Sequence, residues 1–162
     1  MNQLSKILSP ACVVLDDPAR DKSACLGRLA ALFAPGCGID PARILAALKA
    51  REALGSTALG QGVAIPHGRL RGISRPAAAF LRLQQGVDFD APDGQPVRIL
   101  LALIVPESAT EQHLLVLSDL AQILGHRGTR EALLAEADAG AVHARIVGWD
   151  PVAAQGSAAR HA

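Results

Sequence analysis

The sequence predicts a single three-layer α/β domain in which a central mixed parallel/antiparallel sheet is flanked by helices. Apolar residues recur at helical spacing on either side of a middle segment that holds short apolar runs bounded by Gly and Pro. The turn at Asp93-Gly94 lies between two of those runs, and so short a connection joins antiparallel neighbours. A chain of 162 residues with 50% hydrophobic content can bury the core of one such domain.

Two amphipathic helices are predicted in the first third of the chain. Asp21 is a candidate N-cap for the first helix, which Pro35-Gly36 is expected to end. Asp40 and Pro41 have the residue types of an N-cap and a first helical residue, and this second helix is expected to end by Gly55. The apolar faces are Cys25, Leu26, Leu29, Ala30 and Phe33 in the first helix and Ile44, Leu45 and Leu48 in the second.

The middle of the chain predicts strands. Val63–Ile65 and Ala78–Leu83 are short apolar runs between Gly and Pro residues, and Val87–Asp90 alternates apolar with charged residues. Val97–Val105 is apolar at almost every position, which is typical of a strand covered on both faces. We therefore expect Val97–Val105 to lie centrally in the sheet.

A third long helix is predicted after the strands. Thr110 is its candidate cap, and the helix is expected to end near Gly125 to Gly128, with two shorter helices following. From Pro151 onward the chain is rich in Ala, Gly, Ser and Gln without periodicity, which predicts disorder. The predicted organisation is therefore one domain over residues 1–150 and a disordered tail over residues 151–162.

Composition argues against several classes of function. Sixteen Lys and Arg against fifteen Asp and Glu leave a net charge of +1, too balanced for a protein that neutralises many nucleic-acid phosphates. The chain shows neither a secretory signal pattern nor an uninterrupted apolar stretch of about 18 residues. We therefore expect a cytoplasmic protein that neither binds nucleic acid nor inserts into a membrane.

The sequence gives no indication of a metal or a cofactor. Cys12, Cys25 and Cys37 are odd in number and widely spaced, which fits neither a disulfide framework nor a metal-ligand pattern. Asp88 and its neighbouring carboxylates are separated by a turn, and no Gly-rich nucleotide motif is present. His126, His143 and His161 have no partner motif and are interpreted as structural or surface residues.

The segment Ile65-Pro66-His67-Gly68 contains the best candidate for chemistry. It places His67 where an apolar run ends, beside a Pro that fixes its own φ and a Gly that permits close backbone approach. A neutral imidazole has one unprotonated nitrogen, which is a competent nucleophile toward phosphorus near neutral pH. The local environment alone favours the interpretation of His67 as a turn histidine that has no chemical role.

Three motifs in order resemble a known family. Arg51-Glu52, then Gly55-Ser56-Thr57, then Ile65-Pro66-His67-Gly68 resemble the enzyme IIA domains of the bacterial phosphotransferase system, of the mannitol, fructose and nitrogen-regulatory type. Val105-Pro106 and His113-Leu114 also look like the family. The resemblance runs from about Leu4 to Val147 and leaves only the tail outside it.

The resemblance implies a phosphoryl-transfer site. By position in the motifs, His67 would be phosphorylated on Nε2, with Arg51 and His113 beside the phosphoryl group and with Ser56, Thr57 and Gly68 as further phosphate-binding residues. The chemistry of phosphoryl transfer independently calls for positive or donor groups around the phosphoryl oxygens. At the third position of the predicted helix, the His113 imidazole would lie near the positive end of the dipole, which favours its neutral form. Arg69 is interpreted as a solvated cation.

Several functions remain open from the sequence. The resemblance favours a nitrogen-regulatory enzyme IIA that takes a phosphoryl group from an HPr-like carrier and regulates targets, such as potassium transport or a sensor kinase, by its phosphorylation state. Counted as an enzyme, it would be a transferase with a phosphohistidine intermediate. One alternative is a sugar-specific enzyme IIA of fructose or mannitol type that passes the phosphoryl group to an enzyme IIB. Another is a module without phosphoryl chemistry, which binds a transition metal through His67 and His113 or serves protein interaction alone.

Overall fold

A six-stranded sheet with helices on both faces forms the centre of the molecule. The computed structural model describes residues 2–109 and 111–154, without the side chains of residues 112–114. The strands are β1 (Leu8–Asp17), β2 (Ala58–Gly60), β3 (Val63–Ala64), β4 (His67–Leu70), β5 (Ala77–Val87) and β6 (Val97–Pro106). The helices are α1 (Lys22–Cys37), α2 (Pro41–Glu52), α3 (Glu111–Gly125), α4 (Arg127–Ala135) and α5 (Ala139–Val147), and a 3-10 helix covers Gln3–Lys6.

The sheet is mixed, as predicted, and β6 is central in it. The hydrogen-bonded order is β1-β5-β6-β3-β2, with β4 also paired to β6. β6 is antiparallel to β5 and parallel to β3 and β4, while β1 is parallel to β5. Every residue of β6 except Arg98 is buried, because helices cover both faces of the sheet.

Alternate residues of β6 enter two separate cores. Leu101 and Leu103 belong to a core completed by α3, α4 and α5, whereas Leu100 and Ile104 belong to a core completed by α1 and α2. This division follows from the period of two in a strand, in which successive side chains point to opposite faces. Burial of one such Leu side chain contributes about 1.5–3 kcal/mol. The two cores make the three-layer arrangement that the sequence predicts.

The first two helices begin where the sequence predicts. The Asp21 side chain accepts a hydrogen bond from the Ala24 N–H at 2.7 Å, and the Asp40 side chain accepts one from the Ala42 N–H at 2.9 Å. The predicted end of α1 at Pro35-Gly36 is wrong, because the helix continues to Cys37. Gly38 ends it, with φ of 65° and its N–H donating to the Ala34 carbonyl at 3.0 Å. Pro35 is tolerated there because it removes only one N–H donor in the last turn.

Other differences between the sequence prediction and the structure concern the strands. β1 is not predicted, because its burial pattern lacks the alternation that marks a half-buried strand. β5 ends at Val87, although alternation suggested a strand through Asp90. Asp90 has φ of 54°, which breaks the extended chain, while Phe89 still turns into the core. His67 begins a strand, β4, where the sequence suggested only a bend after one.

The end of the chain is partly described. Residues 151–154 are helical, so the predicted disorder does not apply to them. Asp150 accepts a hydrogen bond from the Val152 N–H at 3.0 Å, so Asp150-Pro151 starts this turn as Asp40-Pro41 starts α2. Residues 155–162, and the predicted cap Thr110, lie outside the described residues. Within the described part of the chain, no helix has the length and hydropathy needed to cross a bilayer.

Candidate functional site

The side chain of His67 lines a cavity beside the sheet. The ring belongs to the first residue of β4, whose Cα partner in β6 is Leu103. The cavity has a volume of about 460 Å³ and lies between α2, β4, β6 and α3. Its lining residues are Ala47, Ala50, Arg51, Leu54, His67, Gly68, Arg69, Leu103, Val105 and Leu117. Among these described residues three are basic and none carries a carboxylate.

The hydrogen bonds of His67 define the state of its ring. Nδ1 lies 2.9 Å from the Ile65 carbonyl oxygen, which only accepts, so Nδ1 carries the proton in the neutral ring. Arg51 Nε donates to Nε2 at 3.2 Å, which requires a lone pair on Nε2. The half-buried imidazole therefore presents Nε2 as its nucleophilic nitrogen.

The last turn of α2 and the loop after it hold Arg51. Its Nη1 donates to the Gly55 carbonyl at 2.9 Å, while its Nε faces His67. A cation at this end of a helix is stabilised by the negative end of the helix dipole. The Gly55 φ of 147° is a backbone conformation that favours glycine, so Gly55 lets the loop turn its carbonyl toward Arg51. Arg51 and His67 are thus brought together as the sequence predicts.

Burial lowers the pKa of His67 from its ordinary value of 6.5. The positive charge of Arg51 lowers this pKa further, while the hydrogen bond to Ile65 and the charge of Glu52 oppose the shift. A lowered pKa keeps the imidazole neutral near pH 7. The same features that orient Nε2 therefore also keep it unprotonated, with its lone pair accepting the hydrogen bond from Arg51.

The titration of His67 is expected to follow from that shift. In an NMR titration of the unmodified protein, the ring should gain its proton at lower pH than His67 of the urea-unfolded chain. Between those two midpoints the unfolded chain binds more protons, so the free energy of unfolding should fall as the pH is lowered through that window. Arg51→Gln should move the folded midpoint upward, because a neighbouring cation is removed. A folded midpoint at or above the unfolded one would contradict the prediction.

The hydroxyl groups of Ser56 and Thr57 are used within the fold, and neither residue lines the cavity. The Ser56 hydroxyl donates to the Phe89 carbonyl and accepts from the Ala58 N–H. The Thr57 hydroxyl donates to the buried carboxylate of Glu52 at 2.6 Å. The hydroxyl groups of these two predicted phosphate-binding residues therefore have partners within the fold and lie outside the lining of the cavity.

Gly68 lines the cavity, but its lack of a side chain serves packing. A Cβ at this position would lie 3.0 Å from the Ala47 carbonyl oxygen and 3.3 Å from the Ala47 Cβ. The absence of a side chain at Gly68 therefore permits a close approach by α2. Because β4 and α2 touch at this point, Gly68 brings Arg51 within reach of His67.

Arg69 and α3 complete the border of the cavity. Arg69 follows His67 by two residues on β4, so both side chains leave the same face of the strand. Arg69 is exposed and lines the cavity, a position that its interpretation as a solvated cation did not foresee. The side chain of His113 lies outside the described residues. Position 113 precedes Leu117, which lines the cavity, by about one turn of α3.

Sequence reasoning missed two residues here. Leu54 lines the cavity and is 85% exposed, and no local pattern marks a loop leucine as functional. Glu52 is only 8% exposed and binds Thr57, although its place at a helix end suggests a solvated carboxylate. The burial of Glu52 depends on contacts with Thr57 and Lys22 that the sequence does not display.

A metal site is not evident in what the structure describes. Outside the undescribed side chains, no three His, Cys, Asp or Glu residues gather as potential ligands. The metal hypothesis pairs His67 with His113, so the undescribed side chain of His113 leaves it untested.

Comparison with known proteins identifies relatives over almost the whole chain. Residues 6–147 match the family model described as phosphoenolpyruvate-dependent sugar phosphotransferase system, EIIA 2. A nitrogen regulatory protein of Pseudomonas aeruginosa is 41% identical over 148 residues, covering 91% of this chain and 96% of the relative. A fructose-specific EIIA component of Haloferax volcanii is 34% identical, covering 83% of this chain and 88% of the relative.

A solved structure agrees with these matches. The crystal structure of nitrogen regulatory protein IIA-Ntr from Neisseria meningitidis superimposes with a TM-score of 0.86 and 41% identity. The match covers 90% of this chain and 99% of that one. The mixed sheet and its flanking helices are therefore shared with a protein of similar sequence.

Proposed function

The chain belongs to the EIIA 2 family of the phosphoenolpyruvate-dependent sugar phosphotransferase system, and we propose that it is a nitrogen-regulatory phosphoryl carrier that accepts a phosphoryl group on His67. The observation that carries the proposal is the His67 Nε2 lone pair, which faces a cavity and lies 3.2 Å from Arg51 Nε. The two relatives described as nitrogen regulatory proteins support the regulatory role.

The transfer step needs one nucleophile and one leaving nitrogen. His67 Nε2 attacks the phosphorus of a phosphohistidine on the donor, in line with the donor N–P bond. As the new N–P bond forms, the old bond breaks and its electron pair returns to the donor imidazole. The Nδ1–H of His67 keeps its hydrogen bond to Ile65, which stabilises the positive charge that develops on the attacking ring.

Cationic side chains would then donate hydrogen bonds to the phosphoryl oxygens. Arg51 already points at Nε2, so a small shift of its guanidinium places donors on the new phosphoryl group. Arg69 adds a second cation at the cavity, and His113 is proposed as a neutral donor from α3. In contrast, Ser56 and Thr57 donate within the fold and receive no part in this step.

The proposed partners would bind at the surface around the His67 cavity. The donor would be an HPr-like carrier whose phosphohistidine enters the cavity past the exposed Leu54. A phosphoryl group on His67 adds about two negative charges there. Regulatory targets, with potassium transport and a sensor kinase as candidates, would distinguish the two states by that charge. We place the protein in the cytoplasm, where such carriers would meet it.

The test is incubation with a phosphorylated HPr-like carrier. We expect an acid-labile, alkali-stable phosphoryl group on the chain, assigned by mass spectrometry to the peptide that contains His67. The nitrogen regulatory protein of Neisseria meningitidis serves as a parallel substrate that shows whether the donor is competent. A competent donor that leaves this chain unmodified would refute the proposal.

A sugar-transport role is the second candidate, since one relative is described as fructose-specific and is 34% identical. Onward transfer separates the two roles. The phosphorylated chain should pass its phosphoryl group poorly to a fructose- or mannitol-type enzyme IIB if it is regulatory. Rapid and complete transfer to such an enzyme IIB would favour the sugar-transport role.

A further inference from the structure

Glu52 is a buried carboxylate that the phosphoryl-transfer step does not use. Its Oε1 accepts a hydrogen bond from the Thr57 N–H at 3.0 Å, and its Oε2 accepts one from the Thr57 hydroxyl at 2.6 Å. Lys22 Nζ lies 2.8 Å from Oε1 and balances the negative charge. A buried carboxylate is costly unless it is paired in this way. Both oxygens of Glu52 are therefore directed at one residue, Thr57.

The contacts continue from Thr57 to the imidazole. The Thr57 carbonyl accepts from the Ile65 N–H at 3.0 Å, and the Ile65 carbonyl accepts from His67 Nδ1–H at 2.9 Å. Ile65 thus connects Thr57 to the ring through two successive peptide groups, since its N–H donates to Thr57 and its carbonyl, in the next peptide group, accepts from His67. Since the Ile65 carbonyl selects the ring nitrogen that carries the proton, its position decides which nitrogen is left with a lone pair.

We propose that Glu52 is a positioning residue for His67, which acts through Thr57 and Ile65 to keep the proton on Nδ1 and the lone pair on Nε2. Its effect on transfer rests on the proposed function, whereas its effect on the tautomer is a property of the unmodified protein. Glu52 is the last residue of α2 and follows Arg51 directly. The end of this helix therefore supplies both Arg51, which donates to Nε2, and Glu52, which acts on the Nδ1 side of the ring.

A matched control for this network lies on the other side of Lys22. Beyond Glu52, Lys22 Nζ lies 3.3 Å from the exposed Asp90 carboxylate and 5.0 Å from the centre of the Phe89 ring. Asp90→Asn removes that outer carboxylate while leaving the contacts between Glu52 and Thr57 in place. Asn tolerates the positive φ of 54° at this position, so the backbone should not change.

The experiment compares four variants by two measurements. Nitrogen-15 NMR of the unphosphorylated proteins gives the tautomer of His67, and the initial rate of phosphorylation by an HPr-like carrier gives its reactivity. In the wild type the neutral ring should carry its proton on Nδ1. Thr57→Val and Glu52→Gln should raise the population protonated on Nε2 and slow phosphorylation about tenfold, as expected for the loss of a hydrogen bond to a charged group. Thr57→Ser retains the hydroxyl and, like Asp90→Asn, should stay within about twofold of wild type.

The outcomes separate this inference from the proposed function. Wild-type tautomer populations in folded Glu52→Gln and Thr57→Val would overturn the positioning role, even if phosphorylation occurs. If Thr57→Val does not fold, Glu52→Gln decides. A wild-type ring protonated on Nε2 would overturn the inference without any variant. A shifted tautomer in a protein that no competent donor phosphorylates would support the positioning role and refute the proposed function.

Discussion

Replacing His67 with glutamine is expected to abolish phosphorylation by an HPr-like carrier. Glutamine retains an amide donor and acceptor of similar reach, but it has no nitrogen lone pair able to form a bond to phosphorus. The loss should be complete, because Arg51 and Arg69 are proposed to stabilise the phosphoryl group and not to accept it covalently. The measurement is transfer of radiolabelled phosphoryl from the carrier, followed over long incubation so that slow transfer is not missed.

His143→Gln is the matched control for this variant. His143 is also half-buried, but its Nε2 lies 2.8 Å from the Leu8 carbonyl oxygen and is therefore a donor rather than a nucleophile. An amide can replace that donor, so phosphorylation should be unchanged. Both variants should remain within about 1 kcal/mol of wild type in the free energy of unfolding. Phosphoryl incorporation that persists in folded His67→Gln would move the acceptor to another residue.

The parts of the fold that were predictable have local causes. The cap, the first Pro and the apolar stripe of α2 all lie within one short segment. The sequence of β6 is apolar at almost every position, which predicts a central strand. β1 has no such pattern, because it lies at an edge of the sheet and its buried residues, Leu8, Val13 and Asp17, do not alternate with exposed ones. Local rules therefore identified β6, which is covered on both faces of the sheet, and missed β1, which lies at an edge.

The candidate site shows the same division. The His67 motif and Arg51 could be found from residue types in order along the chain. The separation of Ser56 and Thr57 from the cavity could not be found, because it depends on Glu52 and Phe89 folding against that loop. The cavity itself combines four elements, and the parallel pairing of β4 with β6 brings them together. Strand order was beyond the sequence, so the shape of the cavity was as well.

Arg51→Ala is expected to slow phosphorylation about a hundredfold, since removing one preorganised donor from a transition state typically costs 10²–10³ in rate. Arg51→Lys keeps the charge but loses the planar fork that serves Nε2 and Gly55 together, so its rate should fall between wild type and alanine. Initial rates at saturating donor provide the measurement. Arg43→Gln is the matched control, because Arg43 lies on the same helix and also donates to one backbone carbonyl, that of Arg71, at 2.9 Å. If Arg51→Ala is as fast as this control, then Arg51 only holds the loop at Gly55, and the charge that stabilises the phosphoryl group must come from Arg69 or α3.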